Sequence, residues 1–339
     1  MSFQNVGTTT LDTNTLGKGG AMTMDAAGIA SGQAFLVSEL EKRDTLVRTP
    51  LTSFTYGRDL PIRVGGGWDE YVSAMSVNYG VTGGSGNLGH AAGANGIPMV
   101  QANFDKGIFK THLISAGTRV MWVDMQRGNL TGRNMDTLLR DGLRLAYDKH
   151  LDQNAYVGFT DYGTTGLIND ADVTATQAAL NAGGTSRAFK DKTPDEILED
   201  INTAILDAWE AAEYDLDAVP NHIIMPYEQF NYLATTKVSN LAEKTILTFL
   251  LENNVATANG SDLFIGATAW CKGAGTGSSD RMVVYCNKER YVAMDELVPL
   301  TRAMTSPNTQ DFCYDTAYAA NVSEVEIFYS QTIAYVDGI

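Results

Sequence analysis

Basic residues are scarce in this chain: 24 Lys and Arg stand against 40 Asp and Glu, a formal net charge of −16 over 339 residues. That balance argues against a surface that grips nucleic acid through its phosphates. Cysteine is scarcer still. Cys271, Cys286 and Cys313 leave one unpaired and have no CxxC spacing, so idle or buried thiols are expected. The opening, MSFQNVGTTTLDTNTLGKGG, lacks an apolar h-region, and no run reaches transmembrane length. Synthesis in a cytoplasm, with no membrane partner, is the expectation. Proline is sparse, eight residues against 33 glycines, which points to many tight turns.

Catalytic and metal-binding patterns are absent as well. Gly84-Ser85-Gly86-Asn87-Leu88-Gly89 fits G-x-G-x-x-G, but His90-Ala91-Ala92-Gly93 after it is a poor helix, so the match reads as chance. His90, His112, His150 and His222 are scattered, without HExxH or a His/Cys pair at metal spacing, and each reads as structural. Asn169-Asp170-Ala171-Asp172 lacks the glycine and distal Glu of an EF-hand. Asp195, Glu196, Glu199 and Asp200 sit at a helix start, where acids facing water favour the dipole. No cofactor and no metal is expected. Weight shifts to a protein whose function is contact.

What the chain does have is a long amphipathic segment from Asn134 to about Val157. Met135, Leu138, Leu139, Leu143, Ala146 and Leu151 recur at helical spacing, with Arg140, Arg144, Asp148 and Lys149 between them. Asn134 is the expected N-cap and Gly158 the stop. Roughly 23 residues make a rod of about 35 Å, a spine rather than the core of one lobe. Before it, Tyr71 to Tyr79 and Met99 to Val123, the latter turning helical near Trp122, read as strands flanking a glycine-rich tip: an extended hairpin that gains its stability from another copy. Residues 51 to 64 read as weak strand and turn, and 170 to 192 as connection. Thr193-Pro194-Asp195-Glu196 is a helix start with a capping box. His222–Met225 is a short buried strand, helices follow Pro226 and around Leu241–Leu251, and the remainder is strand-rich: Leu263 to Trp270, Met282 to Cys286, Tyr291 to Met294 and two longer stretches between Phe312 and Val336. The fold class is α+β with a mixed central sheet and no linker that would separate independent domains.

Six pieces carry a family resemblance. They are Phe35-Leu36-Val37-Ser38-Glu39-Leu40-Glu41, Gly66-Gly67-Trp68, the spine with its Gly166-Leu167-Ile168-Asn169 turn, Tyr232-Leu233-Ala234-Thr235-Thr236, Thr245-Ile246-Leu247 with Leu250-Leu251-Glu252-Asn253-Asn254, and the ending Ile333 to Ile339. Together they span nearly the whole chain, and the sequence resembles a tailed-phage major capsid protein with the Hong Kong 97-type fold, in the branch called the major capsid family. The resemblance implies an N-terminal arm over 1–30, a peripheral domain over 31–76 and 106–160 that includes the spine helix, and an extended loop over 77–105. It further implies an axial domain over 161–311 and returning strands over 312–339. The implied activity is self-assembly, as pentamers and hexamers, into an icosahedral head shell around double-stranded DNA held without specific binding. Portal and possible scaffold or decoration proteins would be its partners, and the host cytoplasm its place of assembly.

Tyr79, the loop glycines Gly83, Gly84, Gly86, Gly89, Gly93 and Gly96, and Arg140, Arg144 and Lys149 on the spine would then meet neighbouring subunits. Covalent cross-linking through Lys106 or Lys110 is not carried over, since both lie at the hairpin base. Rival expectations are an encapsulin-like compartment with protein cargo, an enzyme whose site gathers distant residues such as His112, His150 and His222, and a virion accessory protein.

Overall fold

A computed structural model describes residues 50, 52–82, 99–131, 135–239 and 244–339, and every statement below concerns those residues. All the described elements belong to one compact unit, Phe54–Ile339. The expected arm over 1–30, the glycine tip and the Asn134 cap lie outside the described residues.

In chain order the elements are α1 (Tyr56–Asp59), β1 (Ile62–Val64), β2 (Tyr71–Thr82), β3 (Met99–Met121), α2 (Trp122–Thr131), α3 (Met135–Tyr156, the spine), β4 (Ala175–Gln177) and α4 (Pro194–Ala211). There follow β5 (His222–Met225), α5 (Tyr227–Thr235), α6 (Ile246–Glu252), α7 (Val255–Ala258), β6 (Phe264–Ala267), β7 (Arg281–Tyr285) and β8 (Val292–Glu296). The chain ends with β9 (Val298–Asn308), β10 (Cys313–Ser323), β11 (Val325–Ile327) and β12 (Ile333–Asp337).

Three sheets result, with strand orders β1-β8-β11, β2-β3-β10-β9 and β4-β12-β7-β5-β6. The five-stranded sheet is mixed, and its strands β5 and β7 are buried at every residue, which is why they read as apolar runs. Ile223, Met225, Met282 and Val284 face the helices, against Ile197, Ile201, Ile205, Leu233, Ile246 and Leu250. The alternate residues Ile224, Val283, Tyr285 and Tyr335 pack against Ala155 and Tyr156 of the spine and against Leu167, Ile168, Val292 and Met294.

The start of α4 follows its sequence signal fully. Thr193 accepts from Glu196 N, the Glu196 carboxylate accepts from Thr193 N, and Pro194 opens the helix. Asp200 departs from the expectation that the four acids face water. Its carboxylate is buried against the equally buried ammonium of Lys192, and burial raises its pKa while that ammonium opposes the rise.

Other expectations need correction. Residues 56–59 form a helical turn, because Asp152 of the spine accepts from Thr55 N (2.9 Å) and Tyr56 N (3.2 Å) and so caps it. The stretch 170–192 contains β4, paired in parallel with the last strand, β12. The eleven-residue β9 stands where the sequence pattern predicts no strand, because it is an exposed edge with Pro299 and Pro307 in it, where neither prolines nor polar residues conflict with pairing. The spine stripe is buried only in its second half: Tyr147, Leu151, Ala155 and Tyr156 are in the core, Leu138, Leu139 and Leu143 are half-buried, and Met135 and Ala146 are exposed. The helix outruns the body that covers it.

Candidate inter-subunit surface

The surface begins at three consecutive glycines. Gly65, Gly66 and Gly67 hold φ of +126°, +129° and +101°, which side chains rarely allow, and they turn the chain from β1 into β2. Asn321 of β10 then donates to Gly67 O (3.2 Å) and Asp69 O (3.0 Å), and Thr111 donates to Asp69 O (2.8 Å), fixing the root of the ribbon.

Beyond that root, β2 and β3 pair antiparallel from Tyr71↔Lys110 to Thr82↔Met99. The β3 strand is 23 residues long, on the order of 75 Å if fully extended, and only its second half pairs with β10. Its first half has β2 as its partner. Side chains alternate between faces, so the register sorts them. One face carries Tyr71, Met75, Val77 and Tyr79 from β2, and Val100, Phe104 and Ile108 with Lys106 and Lys110 from β3. The other carries Ser76, Asn78, Gln101, Asn103 and Asp105, with Val72 and Phe109 near the root. Phe109 packs edge-on against Phe328 of the body, 5.6 Å between ring centres. The apolar face is bare: Tyr71 is 61% exposed, Met75 72%, Tyr79 75%, Phe104 70% and Ile108 59%.

That bare face continues a covered one. Even-numbered residues of β3 pass from Val100, Phe104 and Ile108 to Ile114 and Val120, and the latter two lie on the side that the spine covers, where Tyr147 and Leu151 meet Ala320 and Val322. A sheet face that is core at one end and uncovered at the other is a candidate contact surface, since contiguous exposed apolar patches commonly mark contact sites.

Of the residues expected to make inter-subunit contacts, Tyr79 lies on this apolar face. Arg140, Arg144 and Lys149 are exposed on the spine, a separate element. Gly83, Gly84, Gly86, Gly89, Gly93 and Gly96 lie outside the described residues. Phe104, Ile108 and Met75 are contact candidates that sequence reasoning does not single out. Their signal is that most of the ribbon's large exposed apolar residues share one face, Met99 being on the other, which becomes visible only when the register is known.

The spine is held at its far end by a buried polar joint. Asp152 also accepts from Trp270 Nε1 (2.6 Å). Asp59, with no exposed surface, accepts from Arg58 Nε (2.6 Å) and the Tyr156 hydroxyl, and it contacts His222 Nε2 (3.2 Å). Burial alone would raise the Asp59 pKa; the bonds from His222, Arg58 and Tyr156 outweigh it and hold the carboxylate below its usual range. The Tyr285 hydroxyl donates to Asp59 O at 2.5 Å, and its pKa is pushed well up by burial and by the Asp59 charge. This joint locks the angle between spine and five-stranded sheet. Asp59, Tyr156, His222 and Tyr285 of the joint are all buried.

Among the described residues no group of three His, Cys, Asp or Glu is placed to hold a metal, and no helix is long and apolar enough to cross a membrane.

A spine, a projecting ribbon and a mixed-sheet body define the Hong Kong 97-type capsid fold, and solved structures share it. The capsid of Myoviridae phage XM1 superposes with a TM-score of 0.72 at 16% identity, covering 95% of this chain and 100% of that one. The capsid of a native GTA particle gives 0.62 at 11% identity, covering 93% and 99%. A structure from Mycobacterium phage Cain gives 0.60 at 12%, covering 93% and 98%. Among curated proteins no sequence match was found. The profile of the major capsid protein family matches residues 89–339, about three quarters of the chain, and the protein belongs to that family. It is a structural protein of a phage head shell, located in the virion capsid, and its partners there are further subunits.

Proposed function

We propose that the apolar ribbon face is the surface by which one subunit lies over the next in an icosahedral shell of pentamers and hexamers. One observation carries this reading: Tyr71, Met75, Tyr79, Phe104 and Ile108 stand exposed on a single face whose continuation is core. Burying each such side chain releases about 1.5–3 kcal/mol, so a ribbon can supply a large share of an interface of roughly 1,600 Å² without a broad flat patch. The exposed spine residues Arg140, Arg144 and Lys149, with Tyr79 and the loop glycines, are the contacts we assign to neighbouring copies. A shell multiplies modest contacts, since losing one subunit breaks several at once.

The shell would enclose double-stranded DNA without specific binding, its net charge of −16 keeping the wall from adhering to phosphates. Portal and possible scaffold or decoration proteins complete the head, and assembly runs in the bacterial cytoplasm. The role is mechanical and involves no catalysis. In this reading the spine belongs to a peripheral domain and the five-stranded sheet to an axial one. Because β9 pairs with β10 in the ribbon's own sheet, we assign residues 298–308 to the peripheral side rather than to the axial domain.

The test replaces Met75 and Phe104 with Asp together. Both side chains are exposed, so the subunit should fold with a Tm within about 3 °C of the parent. Light scattering should find the parent as closed shells and the double variant as free subunits or capsomers. Shells from the double variant would overturn the ribbon's role while leaving family membership untouched.

A further inference from the structure

His112 on β3 and His150 on the spine meet where ribbon strand, helix and the turn Phe159–Gly163 cross. Their Nε2 atoms are 3.1 Å apart. His112 is 6% exposed, with Tyr162 stacked on it (5.1 Å, 12°) and Phe159 stacked on His150 (4.3 Å, 18°). Two ring nitrogens at that distance need one N–H and one lone pair between them. The contact therefore holds while the pair is neutral or carries one extra proton. When both rings are cationic, both Nε2 atoms bear hydrogen, the bond has no acceptor, and two charges face each other away from water. Among the described residues no group of three His, Cys, Asp or Glu gathers here to hold a metal.

The surroundings resist that second proton. His112 Nδ1 is buried with no hydrogen-bond partner, so a cationic ring would gain an orphan donor. Burial, then the charge of His150, brings His112 down to about 4, and burial lowers His150. Other titratable groups on the crossing elements include Lys106, Lys110 and Arg119 on β3, Arg144, Tyr147, Asp148, Lys149 and Asp152 on the spine, and Asp161 and Tyr162 in the turn, while Glu324 approaches from the link between β10 and β11. Lys110 donates its ammonium to Gly163 O (2.8 Å) and its backbone N–H to Glu324 (2.8 Å).

We propose that His112 and His150 form an acid-released latch: sharing one proton, they tie the ribbon strand to the spine, and with a proton on each ring they separate. The latch lies beside the Lys110–Gly163 bond and the Phe109–Phe328 contact at the root of the ribbon, so opening it loosens that root. The sign follows from the lowered pKa values. The latch contributes fully above about pH 6.5, the ordinary histidine value, and is lost as pH falls toward 4.

Hydrogen–deuterium exchange on the full-length protein, corrected for intrinsic rates, tests this at pH 7, 6, 5 and 4. Protection in residues 106–118 and 143–163 should fall about tenfold between pH 6 and 4, while residues 194–211 stay protected. In His150→Gln and His112→Gln, whose amides do not titrate, that local pH dependence should vanish. Flat protection in the parent, the same fall in both variants, or a fall that includes 194–211 would each overturn the latch. Should either variant be unstable at pH 7, the parent's contrast between the crossing segments and 194–211 decides alone. None of these outcomes depends on the shell reading.

Discussion

Glu326 on β11 is fully buried, and it shares the Arg63 guanidinium with Asp295, which takes Arg63 Nε at 2.5 Å. Burial and the Asp295 charge push the Glu326 carboxyl up to about 7, against the pull of Arg63. Its Oε1 has no hydrogen-bond partner. A carboxyl whose folded pKa lies above its ordinary 4.5 holds a proton that the unfolded chain releases, so its contribution is fullest below about pH 4.5 and is lost as pH rises through 7. A shift of that size is on the order of 3 kcal/mol. Glu326→Gln should therefore gain in Tm over the parent as pH rises from 5 to 8. A difference that stays flat or falls over that range would show that Arg63 already neutralises the site. The histidine latch has the opposite sign, losing stability toward acid. None of these residues is legible in sequence as titrating, because each acquires its partner across a long separation: Arg63 with Glu326, His112 with His150.

At the scale of elements, the turn Gly166-Leu167-Ile168-Asn169 acquires a physical account. A helix ends with carbonyls that lack partners, and this turn supplies them. Leu167 N donates to Ala155 O (3.0 Å), Ile168 N to Tyr156 O (3.1 Å), and the Asn169 amide to Val157 O (2.7 Å), while Asn169 Oδ1 accepts from Gly166 N (2.8 Å). Gly166 lies so close that an added Cβ would stand 2.3 Å from the Tyr156 carbonyl. Gly166→Ala should destabilise the subunit by about 3 kcal/mol, the upper range for overpacking, and Asn169→Ala by about 1–3 kcal/mol through lost bonds. Denaturant unfolding would show both, and a neutral Gly166→Ala would contradict the close docking.

Helix starts and periodic helices are readable from local chemistry, as Thr193 to Glu196 and the spine demonstrate. The strand β9 is not, because an exposed edge with two prolines carries neither alternation nor an apolar run. Nor is the half-burial of the spine, since periodicity tells which face is apolar but not how far the body reaches along it.

The molecule as a whole combines a body with two well-filled cores and a ribbon whose apolar face has no cover among the described residues. The family is legible because its pieces recur along nearly the full chain. The contact surface is legible only in outline: the hairpin pattern implies a need for another copy, yet which face needs it depends on the register Tyr71↔Lys110 that the structure supplies. Net charge belongs to this scale too: in the proposed shell, an acidic wall would surround its contents without gripping them. The central claim is that the bare face is covered by a neighbour. Single-particle imaging of shells from the purified full-length protein tests it most directly. The account predicts closed shells in which Tyr79, Met75 and Phe104 are buried against an adjacent subunit; shells that leave those side chains in solvent would contradict it.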